Sequence, residues 1–181
     1  MAKVIHIDSS LLRGLIDPDD KCDRRLESRH LLNASPGVQF RVSILAMGEV
    51  LGKMVEVRTT SAYTEAAAEL SRLFRGGRLD LFGIGREGEV FALAFEIIAL
   101  DRFLSPADAF LVASAMVDKE CSAFATSDRP LLDSIAIEKL AASHGVKVFD
   151  ARKLKKKERT VLLHRPLNKI LCCEIRTSSR V

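Results

Sequence analysis

Five short segments of the chain carry strand-like patterns of apolar and polar residues. The first, KVIHID, alternates and is rich in β-branched residues, as half-buried strands are. The five predicted strands are residues 3–8, 38–43, 78–84, 121–126 and 146–150. No connection between them resembles a tight hairpin turn.

Apolar residues recur at helical spacing in the segments between these strands. In ILAMGEVLGKMVEVR, for example, they fall at Ile44, Met47, Leu51, Met54 and Val55. Proline and glycine signals such as DPDD, Gly76-Gly77 and Gly145 mark the ends of several helices. The predicted helices are residues 9–16, 23–32, 44–58, 61–75, 87–103, 106–119 and 131–144.

Strands that alternate with helices favour a parallel sheet with helices on both faces. The chain has 181 residues, which suits one domain of ordinary size. We therefore predict an α/β fold, a three-layer α/β/α sandwich around a central parallel sheet of about five strands. It spans residues 1–150, and residues 151–181 form a basic C-terminal extension.

Composition narrows the class of protein. An apolar fraction of 48% is too high for a disordered chain. No window approaches 18 consecutive apolar residues, and MAKVIHIDSS lacks the layout of a signal peptide. The four cysteines fit neither a disulfide framework nor a zinc knuckle. These features predict a cytoplasmic protein with no membrane association.

The net charge of +4 conceals an asymmetry. Residues 151–181 carry ten Lys or Arg and two acids, whereas the first 150 residues carry 18 basic and 22 acidic residues. Such an extension either contacts a polyanion or is a solvated segment, and charge alone leaves both open. The candidate binding residues in the extension are Lys153, Lys155, Lys156, Lys157 and Arg159.

Four acids fall where the predicted fold would bring them together. Asp8 ends the first strand, and Asp128 follows the fourth. Asp108 opens the helix that leads into the fourth strand, and Glu49 lies on the helix after the second. In open parallel sheets, ligands bind at the carboxyl ends of the strands. We therefore expect the four carboxylates to converge on one rim.

Four neighbouring anions either take up protons or bind a cation. Ligand sets made only of oxygen favour Mg²⁺ or Mn²⁺ over zinc. Such ions lower the pKa of a bound water and stabilise charge on a phosphodiester, so the set indicates a metal-dependent phosphodiesterase. Taken singly, Asp108 and Asp128 also suit helix caps, whereas Glu49 lies in a largely apolar segment.

The ordered set resembles the PIN-domain nucleases, which include the VapC toxins. It consists of Asp8-Ser9-Ser10, Glu49, Ser105-Pro106-Ala107-Asp108-Ala109 and Thr126-Ser127-Asp128, and the resemblance covers residues 3–150. It implies an α/β/α sandwich that cleaves RNA with Mg²⁺ or Mn²⁺.

Carried onto this chain, the resemblance makes Asp8, Glu49, Asp108 and Asp128 the catalytic, metal-binding acids. Ser9 and Thr126 become hydroxyls that orient water or a carboxylate, while Asp133 is expected to face solvent. Two settings are implied: a toxin with a cognate antitoxin, or a nuclease with an RNA-processing partner. A homodimer also fits the family. Phosphate contacts are available from the basic extension, Arg129 and a cluster in the first long loop region, namely Lys21, Arg24, Arg25 and Arg29.

Three other interpretations compete with this one. GIGREG, residues 83–88, matches a dinucleotide-binding pattern, but it follows the third strand, and no strand end supplies the ribose-binding acid. A haloacid-dehalogenase-like phosphatase would require a second acid where Ser10 stands. The remaining alternative is a catalytically weak or inactive PIN-fold subunit that binds RNA and docks on an RNA-processing particle.

Overall fold

The computed structural model describes residues 4–34, 37–57, 59–83 and 85–153. All five predicted strands are present. They are β1 (Val4–Ile7), β2 (Gln39–Ser43), β3 (Leu79–Phe82), β4 (Cys121–Thr126) and β5 (Lys147–Asp150). The helices are α1 (Ser9–Ile16), α2 (Cys22–Ala34), α3 (Ile44–Val57), α4 (Thr60–Arg75), α5 (Glu87–Leu100), α6 (Pro106–Val117), α7 (Arg129–Asp133) and α8 (Ile135–Ser143). A short 3-10 helix, Ala151–Lys153, follows β5.

The strands form one parallel sheet in the order β3-β2-β1-β4-β5. Helices flank it in a three-layer α/β/α sandwich, so the predicted fold class is confirmed. The chain moves outward from β1 to β2 and β3, then returns to the other side of β1 at β4. This reversal creates a crevice at the carboxyl ends of β1 and β4, where open α/β sheets bind ligands.

The core lies on both faces of the three central strands. Phe40 and Val42 of β2 and Phe124 of β4 are almost completely buried. Most of α6 is buried as well, from Leu111 to Met116. Each fully buried large apolar side chain contributes about 1.5–3 kcal/mol. Because α6 is fixed on nearly all sides, its N-terminus has a defined place beside the crevice.

The two largest differences from the predicted helices both involve Asp101. The helix predicted for residues 87–103 ends at Leu100, and the one predicted for 131–144 is two helices separated at Ser134. Asp101 accepts hydrogen bonds from the Phe103 backbone at 3.1 Å and from the Ser134 hydroxyl at 2.6 Å. The Ser134 hydroxyl also accepts a bond from the backbone of Ile137 and thereby caps α8.

Helices α1 and α2 pack closely because residue 14 is glycine. A Cβ at Gly14 would lie 2.8 Å from the carbonyl oxygen of Arg24 and closer still to the Ser28 hydroxyl. Both distances are too short for a real side chain. Gly14 therefore fixes the depth at which α2 lies against the fold.

A buried ion network ties the sheet to the end of α6. His6 donates from Nε2 to Asp118 at 2.9 Å, and Arg41 donates from Nη1 to the same carboxylate oxygen at 2.7 Å. Arg41 also donates to Glu120. Burial lowers the pKa of His6, so its imidazole is neutral near pH 7. The bonds from His6 and Arg41 outweigh burial and lower the pKa of Asp118 to about 2.

The described helices include none that is long and apolar enough to cross a membrane.

We expect Asp118→Asn to reduce the free energy of unfolding by about 2 kcal/mol, because it removes the buried carboxylate that accepts from both His6 and Arg41 and leaves Arg41 only its more exposed partners, Glu120 and Asp80. Glu120→Gln is the matched control, since Glu120 pairs with the same arginine but its side chain is 61% exposed. It should cost less than about 1 kcal/mol. Urea unfolding of both variants at pH 7 measures the difference, and equal costs would contradict the importance of the buried pair.

The same pair predicts an acid sensitivity. The pKa of Asp118 lies below its ordinary value of 3.8, so its stabilising contribution is present above that pH and is lost as pH falls toward 2. Asp118→Asn should therefore unfold with a weaker pH dependence than the wild type in this window.

Candidate active site

A cleft of about 380 Å³ lies at the crevice between the ends of β1 and β4. We call it the acidic cleft, after the four carboxylates that line it. Its lining consists of Asp8, Ser9, Ser10, Arg24, Glu49, Ser105, Ala107, Asp108, Leu111, Ser127 and Asp128. All four acids named from the sequence therefore face one space, although they come from positions as far as 120 residues apart in the chain.

Asp8 is the most deeply placed of these acids, with 3% of its surface exposed. It follows β1 directly and caps α1 by accepting a bond from the Leu11 backbone at 2.7 Å. The hydroxyls of Ser10 and Thr126 also donate to its carboxylate. Burial raises the pKa of Asp8, and these bonds offset part of that effect. The bonds orient the carboxylate and join the end of β1 to the end of β4.

Asp108 enters the cleft from the first turn of α6. Ser105 caps this helix by accepting a bond from the Asp108 backbone at 3.1 Å. The Ser105 hydroxyl in turn donates to the Asp108 carboxylate at 2.5 Å. The helix cap and the cleft position therefore do not exclude each other: Asp108 takes part in the cap and lines the cleft, and its bond with Ser105 orients the carboxylate.

Asp128 lies just beyond β4, at the start of α7. Its backbone N–H donates to the Thr126 hydroxyl at 3.0 Å. Burial raises the pKa of Asp128, and the nearby negative charges of Asp108 and Asp8 raise it further. Asp8 and Asp108 are thus close enough to Asp128 to disfavour its charge.

Glu49 faces the cleft from α3 and forms an ion pair with Lys53 one turn along the helix. Its side chain is 31% exposed. Of the two hydroxyl residues predicted to assist the acids, Thr126 contacts Asp8 directly. Ser9 lines the cleft, while the neighbouring hydroxyl that donates to Asp8 belongs to Ser10.

Other residues named from the sequence lie outside the acidic cleft. Asp133 and Arg129 are exposed, and both line a larger neighbouring groove along β5. Lys153 is exposed at the end of the 3-10 helix and lines the same groove. Four further basic residues lie outside the described residues: Lys155, Lys156, Lys157 and Arg159. Their predicted contact with RNA, and the division of the chain at residue 150, stay predictions.

The donor set suits a hard cation, because every acidic group in the cleft offers oxygen. As they stand in the described part of the chain, no three His, Cys, Asp or Glu side chains come close enough together to bind a metal ion. Glu49 is engaged by Lys53 and Asp8 by its hydrogen-bond donors. Metal binding by all four acids would therefore require their side chains to move closer together.

Sequence patterns assigned no role to two contributors to this site and did not single out a third. Ser10 and Ser127 reach Asp8 through a hydroxyl and a backbone N–H, respectively. Arg24 reaches the cleft from α2. The serine at position 10 is two residues after a helix-capping acid, a spacing that could have predicted its bond. Arg24 could not have been separated from the other basic residues of its helix without the packing of α1 against α2.

Comparison with solved structures shows which fold carries this cleft. FitAB bound to an IR36 DNA fragment matches with a TM-score of 0.57 and 16% identity, over 81% of this chain and 94% of that one. FitAcB from Neisseria gonorrhoeae gives 0.52 and 16%, over 82% and 98% of the two chains. VapBC2 from Rickettsia felis, bound to a DNA fragment from its promoter, gives 0.53 and 8%, over 81% and 98%.

The chain has a PIN-domain fold. No family model and no curated protein matches the sequence. The likeness to these proteins is therefore a likeness of fold.

The PIN fold also accounts for the glycine-rich segment GIGREG. It follows β3, which is an edge strand of the sheet, whereas the crevice lies between β1 and β4. Gly83 and Gly85 have φ values of +114° and +80°, which indicates a turn that leads into α5. The position is not the one where a doubly wound sheet binds a dinucleotide, which agrees with the prediction of a coincidental match.

We expect Asp128→Asn to raise the melting temperature in EDTA at pH 7, because it removes the repulsion from Asp8 and Asp108. The pKa of Asp128 is higher in the folded protein than in an unfolded chain, so wild-type stability falls as pH rises through that pKa. The advantage of the variant should therefore shrink as the solution is acidified. Asp133→Asn, at an exposed position, should show no such trend, and equal behaviour of the two variants would contradict the repulsion.

Proposed function

We propose that this protein is a metal-dependent ribonuclease that hydrolyses RNA phosphodiester bonds at the acidic cleft. The observation that supports this most directly is that Asp8, Glu49, Asp108 and Asp128 line one cleft at the switch point of a PIN fold. Burial and the negative charges of Asp108 and Asp8 raise the pKa of Asp128 there. Such a cluster suits a cation more than a set of unrelated structural acids would.

Mg²⁺ or Mn²⁺ fits these residues by its preference for carboxylate oxygens, and Asp8, Asp108 and Asp128 would bind it, with Glu49 completing the site. When bound, the ion supplies a more acidic water and compensates charge on the phosphate and the leaving oxygen. Glu49 would have to release its partner Lys53 to take this role.

The protein's own contribution is to orient the acids. Thr126, Ser10 and the Leu11 backbone hold Asp8 in one orientation through hydrogen bonds. Ser105 does the same for Asp108. Because these donors belong to β4 and to two helix N-termini, they restrict the orientations of Asp8 and Asp108 before the substrate arrives.

The partner is also part of the proposal. FitAB and VapBC2, to which the fold is similar, are toxin–antitoxin complexes. A cognate antitoxin is therefore the partner that the likeness supports, ahead of an RNA-processing partner. In a cleavage assay, an antitoxin should suppress cutting, whereas an RNA-processing partner should stimulate or redirect it.

Cleavage of labelled single-stranded and structured RNAs in EDTA, Mg²⁺ and Mn²⁺ tests the activity. We expect metal-dependent cutting whose rate falls on the order of 100-fold or more in Asp8→Asn and in Asp108→Asn, because each variant removes a negative charge from the cleft. RNA binding should survive both changes. Asp133→Asn is the matched control, since it removes an exposed acid outside the acidic cleft.

Normal cutting by both cleft variants would contradict the site. RNA binding without cutting under any metal would instead favour the inactive docking subunit that the sequence left open.

The basic extension is expected to contribute RNA affinity. Residues 154–181 contain eight Lys or Arg and two acids. Ala151 is fully buried and Arg152 pairs with Asp150 at 2.8 Å, so a truncation should begin after Lys153 to spare the fold. We expect the truncated chain to bind RNA more weakly and with a shallower salt dependence, by about 0.7 in log–log slope for each lost phosphate contact. An unchanged slope would exclude a role for the extension.

A further inference from the structure

The wall of the acidic cleft contains a single cation among its described lining residues. This residue is Arg24 of α2, and it shares the space with Asp8, Glu49, Asp108 and Asp128. Its side chain is 29% exposed, so the guanidinium is neither buried nor free in solvent. A positive group in this position requires an explanation, because it would oppose a metal ion if it approached the same carboxylates.

The hydrogen bonds of Arg24 are directed away from the cleft acids. Its Nη1 donates to both carboxylate oxygens of Asp20, at 3.0 and 3.2 Å. Asp20 has a side chain that is 2% exposed, and it also lies 3.7 Å from Nε of Arg13. Arg24 is therefore fixed by a buried partner that lines no part of the cleft. An arginine whose role was to neutralise the cleft would be expected to pair with the cleft acids instead.

The backbone of Arg24 is fixed as well. Its carbonyl oxygen accepts a bond from the Ser28 hydroxyl at 3.0 Å and lies against Gly14 of α1. The close packing of α1 and α2 thus sets where the side chain begins, and Asp20 sets where it ends. Both bonds to Asp20 come from Nη1, so they do not engage Nε or Nη2.

The other basic residues of this segment, from Lys21 to Arg29, are placed differently. Arg25 donates to the carbonyl of Pro18 at 2.7 Å, and Lys21 and Arg29 are exposed. None of the three lines the acidic cleft. The sequence offered all four as phosphate contacts, and the structure separates Arg24 from the rest.

We propose that Arg24 binds a backbone phosphate of the RNA that enters the acidic cleft. A fixed guanidinium with unengaged nitrogens suits the paired oxygens of a phosphate, and its pairing with Asp20 prevents it from collapsing onto the acids. Arg24 is thereby a substrate-binding residue that positions the chain beside the carboxylates. This inference rests on the proposed function, because the phosphate is that of the RNA substrate.

The test measures binding separately from cleavage. The full-length Asp8→Asn protein is titrated with a short fluorescent single-stranded RNA, alone and with Arg24→Ala, Arg24→Lys or Arg29→Ala added. We expect Arg24→Ala to weaken binding about tenfold, equivalent to roughly 1.4 kcal/mol, and to reduce the salt slope by about 0.7. Arg29→Ala, an exposed cation of the same helix, should have a smaller effect.

Arg24→Lys tests whether the loss of RNA binding in Arg24→Ala has a purely structural cause. It retains a positive charge for Asp20, so the fold should be preserved, but it lacks the planar fork and should restore binding only in part. A salt slope that is unchanged in Arg24→Ala, or equal losses in Arg24→Ala and Arg29→Ala, would overturn the proposal.

The two proposals fail in different ways. If the wild type cuts RNA but Arg24→Ala binds it normally, the nuclease assignment stands and Arg24 has no part in binding. If the wild type does not cut but Arg24→Ala alone loses affinity, Arg24 still binds RNA and the cleft is a binding site without hydrolysis.

Discussion

The hydrogen bond from Thr126 to Asp8 is the contact on which the cleft depends. It joins the carboxyl ends of β1 and β4, the two strands between which the chain reverses its order. The same hydroxyl accepts a bond from the Asp128 backbone, so one buried oxygen sets the relative positions of two acids. A carboxylate with 3% exposure is costly to ionise without hydrogen-bond donors, and the fold supplies them from α1 and from β4. The relative positions of Asp8 and Asp128 are consequently set by the carboxyl ends of β1 and β4.

The cleft combines conflicting electrostatic requirements. The acids must lie close together to bind one cation, yet their proximity raises the pKa of Asp128 and works against the metal-free fold. Lys53 on Glu49 and the hydroxyls on Asp8 and Asp108 reduce that conflict without closing the space. Asp20 performs a related task for Arg24, since it keeps a positive group beside the acids and apart from them. Glu49 and Arg24 are thus each compensated by a charged partner that does not line the cleft.

Local patterns predicted the sheet well because each strand is short and bounded by turn residues, and because their alternation with helices allows few topologies. The convergence of the four acids on one cleft was also predictable, since the strand ends and the following helix starts of a parallel sheet meet at one edge. Tertiary contacts limited the rest. The break at Ser134 and the end of α5 depend on Asp101, 33 residues away from that serine in the chain, which no window of sequence contains. The selection of Arg24 depends on the depth of α2 against Gly14, which is likewise a matter of packing.

The position of β5 beside the cleft has a kinetic consequence for the RNA binding proposed for the extension. β5 ends beside Thr126, and the buried Ala151 secures the following turn at the same edge of the sheet as the acidic cleft. RNA bound by residues 154–181, as proposed, would belong to the same complex as the cleft, so its effective concentration at the acids would exceed its concentration in bulk solution. Capture and hydrolysis would accordingly be separable quantities, with the extension governing occupancy at low RNA concentration and the carboxylates governing the rate once the cleft is filled.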